Sequence, residues 1–253
     1  MRPPALSIVV PAFNEAARIL NTINNIREEM GRLGGDAELV VVDDGSIDET
    51  AAVVADIARS DVRVKLVRAA HAGKGAAVRR GMLEARGAWR FLADADLSMP
   101  ISELKRFLDA AQGADVIVGS REARGARRVS EPWSRHAIGR VFNWVAKLLV
   151  LRGIEDTQCG FKLFSARAAQ VLFPLQRLDG FGFDVEILFL ARRAGLVIRE
   201  IPITWVYRRE SKVNVMSGGR AFVELFAVRW HQLRGAYPPR AEMIAAIDGQ
   251  SFL

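Results

Sequence analysis

Two aspartates separated by one residue, Asp94 and Asp96, are the first side chains in this sequence that could do chemistry. They follow an apolar segment that reads as a strand, and Ser98-Met99-Pro100 after them indicates a turn into a helix. Carboxylates at this spacing can share a hard cation such as Mg²⁺ or Mn²⁺, which commonly keeps waters and substrate phosphates as ligands. Two solvated loop aspartates would look the same, so the triplet alone does not decide.

A second acidic segment, Asp43-Asp44-Gly45-Ser46, is more specific. An acidic side chain at a strand end can accept hydrogen bonds from a nucleotide base or a ribose hydroxyl. Ser46 and Glu49, three residues apart, predict a capping box for the next helix. A turn and a cap explain Gly45 and Ser46, but they leave Asp43 as a candidate for binding.

The elements that must position these residues alternate between strand and helix patterns. The predicted strands cover residues 6–10, 38–42, 62–67, 89–93 and 115–119, and the predicted helices include residues 14–32 and 75–86. This alternation predicts an α/β fold with a mostly parallel, Rossmann-like sheet flanked by helices. Polar clusters at residues 11–15, 43–46 and 94–96 should then share one rim. Five carboxylates crowded there would repel each other unless a cation or ligand uses them.

Composition narrows the class of partner. The 253 residues carry a net charge of +7, which favours nucleic acid, acidic lipid or a phosphorylated substrate. Nucleic acid is not expected, because acidic strand ends repel a phosphate backbone and no nucleic-acid motif is present. The single cysteine, Cys159, excludes an internal disulfide and fits a reducing compartment. No uncharged run reaches the roughly 18 residues of a membrane span.

The second half of the chain contains two amphipathic helical patterns, at residues 138–149 and 222–233, with Arg and Lys beside Phe, Trp and Leu. This pattern fits helices on an anionic membrane surface. Core-facing helices with solvated charges would also produce it. The periodicity fades after residue 236. We therefore expect a single domain over residues 1–236 and a flexible tail over residues 237–253.

Taken together, the motifs resemble family-2 glycosyltransferases of the GT-A fold. The segments that carry the resemblance, in order, are Val9–Glu15, Val41–Ser46, Gly73–Ala77, Asp94–Asp96 and Gly119–Arg121. Asp156–Lys162 is similar to polyprenyl- and dolichyl-phosphate sugar synthases. Phe183–Glu186 and Ser211–Asn214 resemble the glucosyl branch more than the mannosyl one. The resemblance covers residues 6 to 230, nearly the whole chain.

The resemblance implies roles for individual residues on the donor side. The residues expected to contact the nucleotide-sugar are Pro11, Phe13, Glu15, Val41, Asp43, Asp94, Ala95 and Asp96. Asp94 and Asp96 would also hold Mg²⁺ or Mn²⁺. Ser98 stands where some relatives have a metal-binding glutamine, and its shorter side chain implies an intervening water.

On the acceptor side the resemblance implies cations that grip the donor diphosphate and the acceptor phosphate. These are Arg121, Arg135, Arg208 and Lys212, and planar guanidiniums suit bidentate phosphate binding. Lys74 lies in a glycine-rich loop that could touch phosphate, although it fits neither the Walker nor the dinucleotide-binding spacing. Asp184 and Glu186 are candidates for a base or for sugar contacts, or they simply decorate a helix beginning near Phe183.

The implied reaction is inverting transfer of a hexose, glucose from UDP-glucose, to a membrane polyprenyl phosphate. A phosphate monoester is already anionic at neutral pH and needs positioning more than deprotonation. Two alternatives stay open: GDP-mannose as the donor, or a hydroxyl acceptor that would need a general base. The expected location is cytoplasmic and peripheral, on the anionic inner face of the membrane.

Overall fold

The computed structural model describes residues 3–151, 153–207 and 215–249; the side chains of residues 134, 135, 137, 138, 148, 149 and 215–221 are not described. The strands are β1 (Leu6–Ala12), β2 (Ala37–Asp44), β3 (Val64–Ala69), β4 (Trp89–Leu92), β5 (Val116–Ser120), β6 (Arg127–Val129), β7 (Lys162–Ser165), β8 (Ile198–Pro202) and β9 (Thr204–Val206). The α-helices are α1 (Ala16–Arg32), α2 (Thr50–Ser60), α3 (Lys74–Glu84), α4 (Leu104–Asp109), α5 (Trp133–Leu149), α6 (Ala166–Leu175), α7 (Phe183–Arg193), α8 (Val215–Leu233) and α9 (Arg240–Gly249).

Seven strands form the main sheet in the order β3-β2-β1-β4-β7-β5-β8, while β6 and β9 form a small parallel pair. Within the main sheet, β7 runs antiparallel to β4 and β5, and the other pairings are parallel. The predicted α/β class is therefore confirmed. The chain builds outward from β1 to β3 and then returns to place β4 on the other side of β1. This reversal makes a crevice beyond the ends of β1 and β4, where ligands of such sheets bind.

The central strands are buried on both faces, which explains their nearly continuous apolar sequences. In β1, Ile8 and Val10 pack into the layer that includes α1, while Val9 packs into the opposite layer with α3, α6 and α7. All three side chains are fully buried. The strands β1, β2 and β4 are parallel neighbours and end at the same edge of the sheet, beyond both apolar layers. The polar residues that follow these strands therefore lie on one rim, as the sequence predicts.

The start of α2 differs from the predicted capping box. The helix begins at Thr50, and its N-cap residue Glu49 makes no side-chain capping bond. Ser46 Oγ instead accepts a hydrogen bond from the Asn14 backbone N–H at 2.9 Å. Asp48 Oδ1 accepts from the Thr50 backbone N–H at 3.0 Å. The capping prediction is wrong because Ser46 joins the loop after β2 to the loop after β1.

The expected flexible tail also needs correction over residues 237–249. Helix α9 packs against α6, and Met243 and Ile247 are buried in the core. The buried Tyr237 hydroxyl donates a hydrogen bond of 2.6 Å to Glu186 Oε1. The sequence hides this helix because two buried side chains, four residues apart, are too few to make a visible apolar stripe.

We predict that Met243→Ala lowers the free energy of unfolding by about 2 to 5 kcal/mol, because it removes a fully packed side chain from the core. Glu242→Ala, at the exposed neighbouring position of α9, should change stability by less than about 0.5 kcal/mol. Urea denaturation of both variants gives the comparison. Equal stabilities would mean that α9 does not pack on the domain.

Candidate active site

The candidate site lies on the rim formed by the ends of β1, β2 and β4. Pro11 pairs with Val42 near the ends of β1 and β2. Asp94 follows β4, and both Asp94 and Asp96 are half-buried. Strand β5 runs parallel to β4 through the intervening β7, so Arg121 after β5 lies on the same rim. The topology thus brings the donor-side candidates and Arg121 to one edge of the sheet.

An aromatic pair forms one wall of this rim. The Phe13 and His71 rings stack with centroids 4.1 Å apart and planes 19° from parallel. His71 Nδ1 lies 2.8 Å from Asp44 Oδ2, which fixes the imidazole. A flat aromatic surface suits stacking of a nucleotide base. His71 had no metal-ligand spacing in the sequence, and its place beside Phe13 arises from the tertiary fold, so no local signal marks it.

All five carboxylates on the rim have protein partners, and three of the five lie outside the Asp94 and Asp96 pair. Asp44 accepts hydrogen bonds from the backbone N–H groups of Ala72 and Gly73, both at 3.0 Å. Asp43 Oδ1 accepts from Ser46 N–H at 3.2 Å, and Glu15 pairs with Arg18 at 2.7 Å. The prediction that the carboxylates on this rim repel each other unless a cation or ligand uses them is therefore wrong for Asp44, Asp43 and Glu15.

Val41 also departs from its expected role. Its side chain is fully buried in the apolar layer with Ile8 and Val10, so it is not available as a side-chain contact to a base edge. Ala95 is likewise buried, and its carbonyl accepts a hydrogen bond of 2.6 Å from Thr22 Oγ1 on α1. This bond ties the loop between Asp94 and Asp96 to α1.

The acidic pair itself is balanced by one lysine. Lys74 Nζ lies 2.6 Å from Asp94 Oδ1. Burial would lower the pKa of Lys74, but the charges of Asp94, Asp184 and Asp96 outweigh it and raise the pKa above its usual value. The pKa of Asp96 is raised by burial and by the neighbouring Asp94, against a 2.9 Å hydrogen bond from Ser98 N–H. The two carboxylates therefore repel each other even with Lys74 in place.

This donor set fits Mg²⁺ or Mn²⁺ bound together with a substrate. Among the described residues there is no group of three or more His, Cys, Asp or Glu side chains that could hold a metal alone. Asp94 and Asp96 would supply two carboxylates, and waters and phosphate oxygens would complete the shell, as is usual for these ions. A divalent cation would also offset the repulsion between the two carboxylates.

Arg121, expected to grip phosphate, is engaged by a carboxylate of the Asp156–Lys162 segment. Its Nε and Nη2 donate to the two oxygens of buried Asp156 at 2.7 and 2.8 Å. Its guanidinium also lies 5.6 Å from the centroid of the Trp205 ring. Burial would raise the pKa of Asp156, but Arg121 outweighs it and holds that pKa low. Phosphate contact by Arg121 stays a prediction.

The other three predicted phosphate-binding cations are not tested by the structure. Arg208 and Lys212 lie outside the described residues, and Arg135 lies in α5 where its side chain is not described. Their roles stay predictions as well.

Asp184 and Glu186 at the start of α7 prove to have different surroundings. Asp184 Oδ1 accepts a hydrogen bond of 2.5 Å from buried Lys162 Nζ. Burial raises the pKa of Asp184, against the opposing charges of Lys162 and Lys74. Glu186 accepts from the backbone N–H of Leu178 at 2.8 Å and from Tyr237. Glu186 therefore fastens the loop after α6, and its candidacy as a base or sugar contact is wrong.

Gly160 of the Asp156–Lys162 segment packs against Asp94. A Cβ at Gly160 would lie 1.9 Å from Asp94 Oδ2, so only glycine leaves room for that carboxylate. Cys159 is buried, and burial raises the pKa of its thiol to about 12, so it is not a nucleophile at neutral pH. Cys159 therefore packs in the apolar layer with Phe161 and Leu163.

Comparisons with known proteins show the family of this chain. The chain matches the model described as Glycosyl transferase family 2 over residues 7–173. It is 32% identical to the dolichyl-phosphate beta-glucosyltransferase of Saccharomyces cerevisiae over 257 residues, which covers 92% of this chain and 76% of that protein. It is 30% identical to the dolichyl-phosphate beta-glucosyltransferase of Homo sapiens over 249 residues, covering 92% and 77%.

Solved structures show the same architecture. Glucosyl-3-phosphoglycerate synthase from Mycobacterium tuberculosis, in complex with Mn²⁺, UDP and glucosyl-3-phosphoglycerate, superposes with a TM-score of 0.64 at 18% identity. The superposition covers 89% of this chain and 78% of that one. The GT-A fold expected from the sequence is thereby confirmed.

We predict that Gly160→Ala weakens binding of Mn²⁺ in the presence of UDP by at least about tenfold, because the added methyl must displace the Asp94 carboxylate. Gly31→Ala is the matched control, since a Cβ there meets nothing within 4 Å, and alanine favours the helix by about 0.5 to 1 kcal/mol. Isothermal titration calorimetry measures both. Unchanged binding by a folded Gly160→Ala protein would contradict the role given to Asp94.

Proposed function

This chain belongs to glycosyl transferase family 2, and from that premise we propose that it transfers glucose from UDP-glucose to a membrane polyprenyl phosphate. Dolichyl-phosphate beta-glucosyltransferases that share 30% and 32% of its residues support this assignment. The observation that carries it is the Asp94 and Asp96 pair beside Lys74, at the reversal of strand order between β1 and β4. Such a site can bind a nucleotide diphosphate together with a divalent cation.

The donor half of the proposed site follows from the rim. The base would stack against the Phe13–His71 wall, beside buried Asp43, and the diphosphate would extend toward Asp94 and Asp96. Mg²⁺ or Mn²⁺ held by these two aspartates would neutralise the charge that develops on the leaving diphosphate. Lys74 adds a fixed positive charge at the same place. The neighbour of similar fold solved with Mn²⁺ and UDP supports the choice of a divalent ion.

The acceptor half favours a phosphate over a hydroxyl. A hydroxyl acceptor needs a base that can take its proton. Asp184 is buried, and one of its oxygens is bonded to Lys162, so it suits a charge network better than proton abstraction. An acceptor phosphate is already charged and needs cations, a role proposed for Arg121, Arg135, Arg208 and Lys212. The relatives named for glucose likewise favour UDP-glucose over GDP-mannose as donor.

We predict that radiolabel from UDP-glucose moves to an organic-extractable product when polyprenyl phosphate and Mn²⁺ or Mg²⁺ are present. Asp96→Asn should lower turnover at least about a thousandfold, by removing a charge needed in the transition state. Asp109→Asn, which alters an exposed aspartate paired with Lys105, is the control and should keep full activity. Label transfer only from GDP-mannose, or only to a soluble hydroxyl acceptor, would replace the proposed reaction by one of the two alternatives.

An exposed apolar face on α5 and α8 is proposed as the membrane contact. Phe142 and Phe222 pack edge to face at 5.0 Å and join the two helices. The side chains left exposed on these helices include Trp133, Val141, Trp144, Val223, Phe226, Trp230 and Leu233. Four of them recur on α8 at the spacing of one helical stripe. A patch of this kind marks an interaction surface.

The basic side chains around this apolar face indicate what it would bind. Arg140, Arg229 and Arg234 are exposed beside the apolar residues, and Arg234 lies 4.1 Å from the Trp230 ring centroid. Aromatic and basic side chains together match an anionic lipid surface. No helix in the described part of the chain combines the length and hydropathy that crossing a bilayer requires. We therefore propose peripheral attachment to the inner, anionic face of the membrane.

We predict salt-sensitive co-sedimentation with vesicles of phosphatidylcholine and phosphatidylglycerol. The double variant Trp144→Ser, Trp230→Ser should partition about tenfold more weakly, because both indoles would lose their place in the lipid interface. The double variant Leu20→Ser, Val62→Ser removes two exposed apolar residues elsewhere and should bind like wild type. If the two double variants bind the vesicles equally well, or if the wild-type protein does not bind them even at low salt, this face is not the membrane contact.

A further inference from the structure

The backbone on either side of Lys74 is clamped by hydrogen bonds. Gly73 N–H donates to Asp44 Oδ2 at 3.0 Å, and Gly75 N–H donates to the Asp179 carbonyl at 2.8 Å. Gly73 has a φ of 117°, and a Cβ there would lie 2.5 Å from the Asp179 carbonyl oxygen. The start of α3 is thus held between the loop after β2 and the loop after α6. The backbone of Lys74 is therefore held in place, while its four-carbon side chain is flexible.

The ammonium at the end of this side chain pairs with a carboxylate oxygen that the proposed metal would also need as a ligand. Lys74 Nζ is 2.6 Å from Asp94 Oδ1, with only 22% of the lysine side chain and 27% of the aspartate exposed. The lysine also sits over the Phe181 ring, 5.9 Å from its centroid. Gly160 confines Asp94 from the other side. A cation that coordinates this carboxylate must therefore compete with a tethered ammonium.

The other carboxylates whose charges act on Lys74 already have partners of their own. Asp184 is bonded to Lys162 at 2.5 Å, and Asp96 accepts a hydrogen bond from Ser98 N–H at 2.9 Å. The ammonium would leave Asp94 at low cost only if a new anion arrived beside it. In the proposed reaction that anion is the diphosphate of the nucleotide-sugar, which binds on the same rim.

We propose that Lys74 is a tethered counterion that blocks tight metal binding by Asp94 and Asp96 in the donor-free protein and transfers its charge to the diphosphate when the donor binds. This inference rests on the proposed function. It makes metal and nucleotide binding mutually dependent, and by linkage each must strengthen the other by the same factor. A positioning lysine that merely held Asp94 in place would instead help the metal to bind alone.

The test measures Mn²⁺ binding by the signal of the free ion in electron paramagnetic resonance, without turnover. Lys74→Met should bind Mn²⁺ alone about tenfold more tightly than wild type, because no ammonium competes. With saturating UDP this advantage should vanish or reverse, since the diphosphate loses a cation. Lys74→Arg keeps the charge and should bind Mn²⁺ alone as weakly as wild type. Lys65→Met, which breaks an exposed pair with Glu84, is the control and should match wild type throughout.

Two results separate the failure of this inference from failure of the proposed function. If wild type binds Mn²⁺ with UDP but Lys74→Met binds Mn²⁺ alone no more tightly, the counterion role is overturned and the glycosyltransferase site stands. If wild type binds no Mn²⁺ with UDP, both are overturned. Lys74→Gln provides a second neutral side chain should the methionine variant fold poorly, as judged by circular dichroism, and the same outcomes apply to it.

Discussion

Two like charges on Asp94 and Asp96, one residue apart and half-buried, set the constraint around which the site is organised. Burial, and then the charge of Asp94, raises the pKa of Asp96, and the charge of Lys74 partly offsets both effects. The position of Lys74 in turn requires Asp44 to hold the preceding loop and the Asp179 carbonyl to hold the following residues. Three regions of the chain thus contribute to placing one lysine beside the two aspartates.

Two more ion pairs, each with a buried carboxylate, balance charge around the site. Arg121 with Asp156 and Lys162 with Asp184 each place a full ion pair in a nearly dry environment. Such pairs add little net stability, but removal of one partner leaves an uncompensated charge and is strongly destabilising. Their value here is geometric. They fix the Asp156–Lys162 segment, and that segment brings Gly160 against Asp94.

The sequence predicts the fold well because burial on both faces of the sheet leaves an unmistakable apolar pattern in β1 and β2. It predicts the rim for the same reason, since parallel neighbouring strands must end together. It fails where a side chain takes its partner from a distant segment. Ser46 is hydrogen-bonded to the loop after β1, and Glu186 is hydrogen-bonded to Tyr237. The His71 ring stacks on Phe13. The spacing of residues along the chain does not reveal such distant partners. Val41 shows in addition that a residue close in sequence to a candidate binding residue can be buried in the core.

Helix α8 connects the proposed membrane face to the site. One side of it carries the exposed Phe226 and Trp230, and the other carries Glu224, whose carboxylate accepts a 2.5 Å hydrogen bond from Gly182 N–H. A Cβ at Gly180 would lie 2.1 Å from Glu224 Oε1, so this loop and the helix are in close contact. The same loop holds the start of α3 through Asp179. In the proposed arrangement α8 lies between the membrane face and the loop that holds the start of α3, so the two are about one helix diameter apart, roughly 10 Å. A phosphate that stays attached to its membrane lipid would then approach the rim from the α8 side.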